Sequence, residues 1–405
     1  MRVALLTSDG ERCGIARYSR DLYAALTPLV DADLIPIHPW PPEGERLERL
    51  RTADVVHLQH EYSFWGTAFP PPRAYHEGLK RFRRPGRLVI TAHTVAGAET
   101  VIAARGVGPK PLVKRLALRL RPRLRREIEA GPFLPADRVI VHSPGAAATL
   151  AKRLDRPEVV QHWPMPVQEW SVPASKWGPL SLKFGFHARR LVTIFGFVTP
   201  EKGYRLALRA IRRIRKEHPE VLLVIAGEAR DRAGEAYLHL LRHVEQSSIK
   251  MLSQAPPVRP AGPWSFDSRV LREALVDELK RLSYRVTGYL EEADARAILE
   301  QTDIAILPYR SATGSYAAGA ALAAACPLLT SDLPAFAEPL PALRFRSGDV
   351  EDLAKKLDEL LADDAARADL ARRSREYAAR NTWARAAERH VALYQEYQER
   401  IRHAA

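Results

Sequence analysis

The chain has 405 residues, 46% hydrophobic and 27% charged, with a net charge of +14. That length exceeds one ordinary core and suits two domains of roughly 150–200 residues each. No apolar run reaches the ~18 residues of a membrane span, the two cysteines Cys13 and Cys326 form no disulfide framework and fit a reducing cytoplasm, and no nucleic-acid motif accompanies the charge, so nucleic acid is set aside as a partner.

The segment after Met1 resembles a short signal peptide only until Asp9, Glu11 and Arg12 interrupt it, so it reads as a first strand, Val3–Leu6. Further strands are expected at Val55–Gln59, Leu88–Thr91 and Val139–Val141, then at Leu191–Phe195, Val221–Ala226, Arg285–Thr287, Ile304–Leu307 and Leu328–Thr330. Their apolar character is continuous rather than alternating, as in parallel strands buried on both faces. Helical patterns such as Arg17–Leu26, Tyr204–Glu217 and Asp294–Glu300 lie between them, which predicts doubly wound α/β domains. Prolines 164, 166, 173 and 179 mark a boundary between Pro164 and Arg190, giving an N-terminal domain over residues 1–170 and a second over 185–380. A last helix near Trp383–Ile401 is expected to cross back onto the first domain. A proline-rich insertion at Ser253–Ser268 reads as a mobile loop. From Arg105 to Arg126 there are nine Lys/Arg and no Asp/Glu. Lys110–Arg126 reads as a basic, Leu-bearing helix interrupted by Pro122, either a solvated face or a surface for anionic lipid.

Open α/β sheets bind ligands outside the carboxyl ends of their strands. The first strand runs into a loop containing Gly10 and Gly14 that feeds a helix N-terminus, where backbone N–H groups and the helix dipole suit an anion. The loop is not Gly-x-Gly-x-x-Gly, which disfavours a dinucleotide cofactor. The second strand ends in Gln59-His60-Glu61-Tyr62 and the third in Thr91-Ala92-His93-Thr94. His93 and Glu61 are candidate site residues, and His60 reads as structural. In the second domain, Gly196 lets a ligand approach the backbone and Lys202 brings a cation ahead of a helix, a pairing suited to a diphosphate. After Ile304–Leu307, Gly314, Ser315 and Tyr316 open another helix whose N–H groups suit phosphate oxygens; close packing of an alanine-rich helix is the alternative.

The ordered set Cys-Gly-Ile-Ala-Arg-Tyr, Val-Val-His-Leu-Gln-His-Glu-Tyr, Thr-Ala-His-Thr, Phe-Gly-Phe-x3-Glu-Lys-Gly, Ala-Gly-Glu, Gly-Tyr-Leu and Asp-Ile-Ala-Ile-Leu-Pro-Tyr resembles family-4 (group 1) glycosyltransferases over nearly the whole chain. The resemblance implies two Rossmann-like domains facing a cleft (GT-B), with a nucleotide-diphosphate sugar (UDP- or GDP-sugar) on the second and a glycan or lipid-linked acceptor on the first. It implies front-face transfer of a hexose with retention, without a metal or other cofactor. By matching position, Gly14 lies near the donor phosphates, His93 near the transferred sugar and Lys202 at the diphosphate. Glu338 matches a less defining donor-side position. Three positions depart from the family pattern: Phe197 stands where arginine is usual, and Ala312 and Ala320 where paired glutamates are usual. Besides the transferase, a non-catalytic glycan-binding or regulatory relative and a nucleotide-sugar epimerase remain open. The expected location is cytoplasmic, with peripheral contact at the inner membrane face.

Overall fold

In a computed structural model of the chain, residues 1–10, 13–65, 73–84, 86–95, 97, 121–167, 169–186, 190–229, 234–236, 238–239, 283–312, 314–337 and 339–404 are described. They form two compact units, Met1–Val167 with Thr313–Tyr316 and Arg380–Ala405, and Gln168–Ala312 with Ala317–Ala379.

The first unit is built on β1 (Arg2–Thr7), β2 (Asp31–Pro36), β3 (Val55–His60), β4 (Leu88–Ala92), β5 (Arg138–Val141) and β6 (Val160–His162). They make one all-parallel sheet in the order β2-β1-β3-β4-β5-β6. Its helices are α1 (Gly14–Leu26), α2 (Gly44–Thr52), α3 (Arg73–Phe82), α4 (Pro122–Glu129), α5 (Pro144–Leu154) and, from the end of the chain, α12 (Trp383–Ala404). Successive strand residues face opposite ways, so each strand feeds two cores. Val3, Leu5, Val55 and Val89 pack with Tyr18 and Leu22 of α1 and with Trp383, Ala387 and Tyr394 of α12. Ala4, Leu6, Val56, Leu58 and Ile90 pack on the other face with Tyr75 and Leu79 of α3. Helix α5 shows why the local sequence starts and stops where it does. Ser143 accepts from the Ala146 N–H at 3.2 Å, Pro144 fills the first turn, and Asp155 ends the helix at φ +57°.

The second unit is built on β7 (Arg190–Phe195), β8 (Val221–Ala226), β9 (Tyr284–Val286), β10 (Ile304–Leu307), β11 (Leu328–Ser331) and β12 (Leu343–Phe345), in the order β12-β11-β10-β7-β8-β9. This is the mononucleotide-binding order, with its reversal between β7 and β10. Helices α6 (Trp177–Phe184) and α8 (Glu292–Glu300) cover one face. Helices α7 (Tyr204–Ile214) and α10 (Val350–Ala362) cover the other. Helix α9 (Tyr316–Ala323) follows β10, and α11 (Asp364–Arg380) precedes α12. Helix α7 buries Tyr204, Ala207, Leu208, Ala210, Ile211 and Ile214, the one-sided spacing of a helix on a sheet, and turns its arginines outward.

One expectation needs adjustment. The chain was not expected to form β2, β6 and β12, each of which lies at a sheet edge. The expected interruption of the basic segment at Pro122 is present: Arg121 has a non-helical backbone (φ −129°, ψ 80°) and Pro122 is the first residue of α4. Proline disfavours a helical predecessor and lacks the N–H that a helix interior requires, whereas a first turn does not need it. The remainder of that segment, residues 110–120, and the insertion at 253–268 lie outside the described residues.

Helix α3 seats itself on Trp40 through Gly78, where an added Cβ would lie 2.3 Å from the indole ring. Trp65, Tyr75 and Phe82 surround that ring, so it has little room to yield. Alanine is favoured over glycine in a helix by about 1 kcal/mol, but overpacking costs about 1–3 kcal/mol. Gly78→Ala is therefore expected to lower the denaturant midpoint of unfolding, and a raised midpoint would refute this packing.

Candidate functional site

In the second domain the chain pins two loops together at the point where the strand order reverses. Strand β7 ends at Phe195, and Gly196 follows with φ +94°. Pro200–Lys202 forms one turn of 3-10 helix, closed by Gly203 at φ +72°. A Cβ on Gly203 would stand 1.8 Å from the carbonyl oxygen of Pro308, just after β10, so only glycine fits there. The Arg310 N–H donates to the Glu201 carbonyl at 2.7 Å, which ties the same two loops again. Lys202 is thereby held over the end of β7. Its Nζ donates to the Phe195 carbonyl at 3.4 Å and lies 5.7 Å from the centre of the Tyr309 ring. A Cβ on Gly196 would come within 2.9 Å of that nitrogen, so the glycine makes the space the cation occupies. The structure thus brings Gly196 and Lys202 together and adds Tyr309 to them. A half-buried cation at a switch point is a site for an anionic group.

Gly314 and Ser315 lead into α9, which begins at Tyr316. Ala320 of that helix is fully buried, so the position of one expected glutamate is part of the core. Ala312 is half-buried, and the Phe197 carbonyl accepts from the Tyr204 hydroxyl at 3.3 Å. Glu338 lies outside the described residues.

In the first domain Gly14 is the exposed first residue of α1, and the Cys13 side chain makes no capping bond. The first turn carries no acidic side chain, so its N–H groups and dipole suit an anion. One turn on, Tyr18 packs edge-on against His93 with ring centres 4.9 Å apart. The His93 backbone N–H donates to the His60 carbonyl at 3.1 Å, and its Nε2 lies 2.8 Å from Gln59 Oε1. Burial, with His142 and His60 nearby, holds the His93 imidazole well below the usual histidine range, so it is neutral. Glu61 accepts from the Tyr62 N–H at 2.9 Å and from the Thr94 hydroxyl, which ties the loop after β3 to the loop carrying His93. Glu61 and His93 are therefore brought together, with the Glu61 carboxylate acting as a clamp between loops.

Gln59, His57, His142 and Tyr18 were not singled out beforehand, yet they surround His93. Strand β3 is fully buried although it carries His57, Gln59 and His60. Alternation along a strand places His57 and Gln59 on one face and His60 on the other, a signal legible in Val-Val-His-Leu-Gln-His. His142, after β5, turns Nδ1 to the Trp163 carbonyl at 3.1 Å.

Comparison with known proteins agrees with the two-domain fold. The fold is GT-B, with two Rossmann-like domains. Anabaena Alr3699/HepE in complex with UDP superposes at a TM-score of 0.60 with 13% identity over 99% of both chains. Sucrose-phosphate synthase from Thermosynechococcus elongatus gives 0.63 with 16% identity over 98% of both. The UDP-forming α,α-trehalose-phosphate synthase from Burkholderia xenovorans in complex with glucose-6-phosphate gives 0.63 with 12% identity over 98% of this chain and 100% of that one. The sequence profile of the group 1 glycosyl transferases matches residues 261–363. No curated protein matches the chain.

Burial also makes this domain acid-sensitive. His60 sits among Tyr62, Trp65, Tyr75 and Phe133, with no partner for either ring nitrogen among the described residues, and is pushed down to about 3. Burial holds His142 and His390 at about 4. Each value is depressed from about 6.5 in the unfolded chain. Below that pH the unfolded chain takes up protons that the folded chain refuses. Stability present at neutral pH is thus lost as pH falls, by about 1.4 kcal/mol per pH unit for each histidine. His60→Phe is expected to shrink the loss between about pH 7 and about pH 5 by roughly 2 kcal/mol in denaturant unfolding. An unchanged loss would mean that His60 is protonated in the fold.

Proposed function

We propose that the chain is a retaining glycosyltransferase that moves a hexose from a UDP- or GDP-sugar to a glycan or lipid-linked acceptor. The observation that carries this reading is Lys202, held by Gly196, the Phe195 carbonyl and the Tyr309 ring at the β7/β10 switch point. Its charge is fixed before any ligand arrives, so it stabilises the negative charge that develops on a departing diphosphate without reorganisation. Backbone N–H groups at Gly14 and at Gly314–Tyr316 are further candidates for phosphate oxygens. The match to the group 1 profile, and the UDP complex among the structural neighbours, support a nucleotide-sugar donor.

The first domain takes the acceptor in this proposal. His93, neutral and hydrogen-bonded, lies at the transferred sugar, and Glu61 shapes the loop beside it. The departing phosphate receives the acceptor's proton during front-face attack. The bond from the anomeric carbon to the diphosphate breaks while the bond to the acceptor oxygen forms on the same face. No metal enters this scheme.

Thermal unfolding with UDP, GDP and ADP and their sugar conjugates tests the donor site. A ligand at about 100 times its Kd adds about 2.7 kcal/mol to stability, and the shift is expected for one base and to diminish in Lys202→Ala. In a transfer assay Lys202→Ala is expected to raise the barrier by about 2.7–4 kcal/mol, the range for loss of one charge-stabilising donor. Undiminished turnover would remove Lys202 from the site. Absence of a shift with every nucleotide would favour the non-catalytic relative.

No described helix is long and apolar enough to cross a membrane. The proposed location is cytoplasmic with peripheral contact at the inner face, supported by Arg121, Arg123 and Arg126, which stand exposed at α4. Basic residues near an anionic surface contribute about 1 kcal/mol each. Sedimentation with phosphatidylglycerol vesicles is expected to fall with salt and in the triple Arg→Glu variant, and salt-insensitive or absent binding would retire this contact.

A further inference from the structure

Strand β3 carries His57 and Gln59 on one face, and both are shut off from solvent. Gln59 stands between two imidazoles. Its Oε1 lies 2.8 Å from Nε2 of His93, and its Nε2 lies 3.3 Å from Nε2 of His57. Two hydroxyls meet His57 from behind: Thr91 Oγ1, 2.8 Å from Nε2, and Tyr394 Oη, 2.6 Å from Nδ1. Tyr394 is fully buried and belongs to α12, 337 residues further along the chain.

A primary amide has one accepting end and one donating end, so Gln59 places opposite demands on its two neighbours. The carbonyl end requires a proton on Nε2 of His93. The amino end requires a bare Nε2 on His57, to which the Thr91 hydroxyl also donates. His57 then carries its proton on Nδ1 and donates it to Tyr394 Oη. Burial keeps both rings neutral, so each has one ring proton to place. With these tautomers, an amide turned the other way would set acceptor against acceptor at His57 and donor against donor at His93, and leaving such groups unmatched costs about 1–3 kcal/mol.

We infer that Gln59 is a positioning residue for His93: it holds the ring as the neutral Nε2–H tautomer and makes Nδ1 the accepting nitrogen, while His57, between Thr91 and Tyr394, takes the amino end of the same amide. The functional meaning rests on the proposed place of His93 at the transferred sugar; the geometry does not. An imidazole held this way accepts from a hydroxyl and cannot donate to a carbonyl or ether oxygen through Nδ1. Tyr18, His142 and His60 are the other titratable groups against this ring, and burial keeps each of them uncharged.

Selective 15N-histidine labelling of the full chain reads the tautomer without any assay of activity. The His93 resonances, assigned by their loss in His93→Asn, are expected to report a neutral Nε2–H ring. Gln59→Leu removes the acceptor and is expected to populate the Nδ1–H form. Gln59→Glu keeps the shape and sets a carboxylate against Nε2–H; His93 is then expected to titrate at higher pH than in the parent. The acid limb of the transfer profile should move up with it. A charged or Nδ1–H His93 in the parent overturns the inference. So does a tautomer unchanged in Gln59→Leu or, if that variant does not fold, a titration unchanged in Gln59→Glu. In Gln59→Leu, kcat for transfer is expected to fall on the order of tenfold, the low end for a partner that orients a functional histidine. If the tautomer responds and kcat does not, the positioning holds and the reading of His93 in the reaction falls.

Discussion

The first domain depends on how strand β3 disposes of its polar side chains. A strand at the interior of a parallel sheet is ordinarily apolar on both faces, because buried groups without partners are costly. Here His57 and Gln59 point into one core and His60 into the other, and all three are sealed from solvent. The first two are tolerable only if hydrogen-bonding groups come to them. Thr91 arrives from the neighbouring strand, opposite Gln59 in register. Tyr394 arrives from the last helix, which also brings Trp383 and Ala387 into the core against α1. The closing helix thus does more than cover an apolar face. It supplies the hydroxyl at the end of a chain of hydrogen bonds that begins at His93.

The second domain solves a different problem with backbone. Its loops after β7 and β10 approach so closely that a side chain at Gly203 would collide with the Pro308 carbonyl. That approach, with the Arg310–Glu201 bond, leaves Lys202 little freedom. A lysine on a flexible stem loses about 2 kcal/mol of rotamer entropy when fixed. Folding supplies that ordering in advance, so a ligand anion does not have to.

Much of the fold was legible because interior parallel strands announce themselves. Val221–Ala226 and Ile304–Leu307 read as unbroken apolar runs and form strands over those residues. The missed strands β2, β6 and β12 share a position: each ends a sheet. Asp31–Pro36 and Val160–His162 are largely half-buried or exposed, so solvent removes the need for apolar residues that would have marked them. For the candidate site, the rule that ligands meet carboxyl ends of strands pointed to Gly196, Lys202, Glu61 and His93. It did not reveal that the Glu61 carboxylate is taken up by Thr94 and Tyr62. Nor did it reveal Tyr394, since no local pattern relates residues 337 positions apart. The alternation in β3 was readable and pairs His57 with Gln59, but the use of that pair becomes apparent only when Tyr394 and His93 stand at its two ends.

The two domains therefore offer complementary chemistry. One presents a fixed cation beside backbone donors. The other presents imidazoles that burial keeps uncharged, joined to an amide and hydroxyls. A diphosphate needs the first kind of surface, because its charge is large and grows as it leaves. A sugar needs the second, because hydroxyls are discriminated by directional donors and acceptors rather than by net charge. A charged imidazole buried here would be costly to desolvate and would lose its accepting nitrogen. The depressed protonation of His93 keeps one ring nitrogen an acceptor, and it follows from the same burial that makes the domain acid-sensitive.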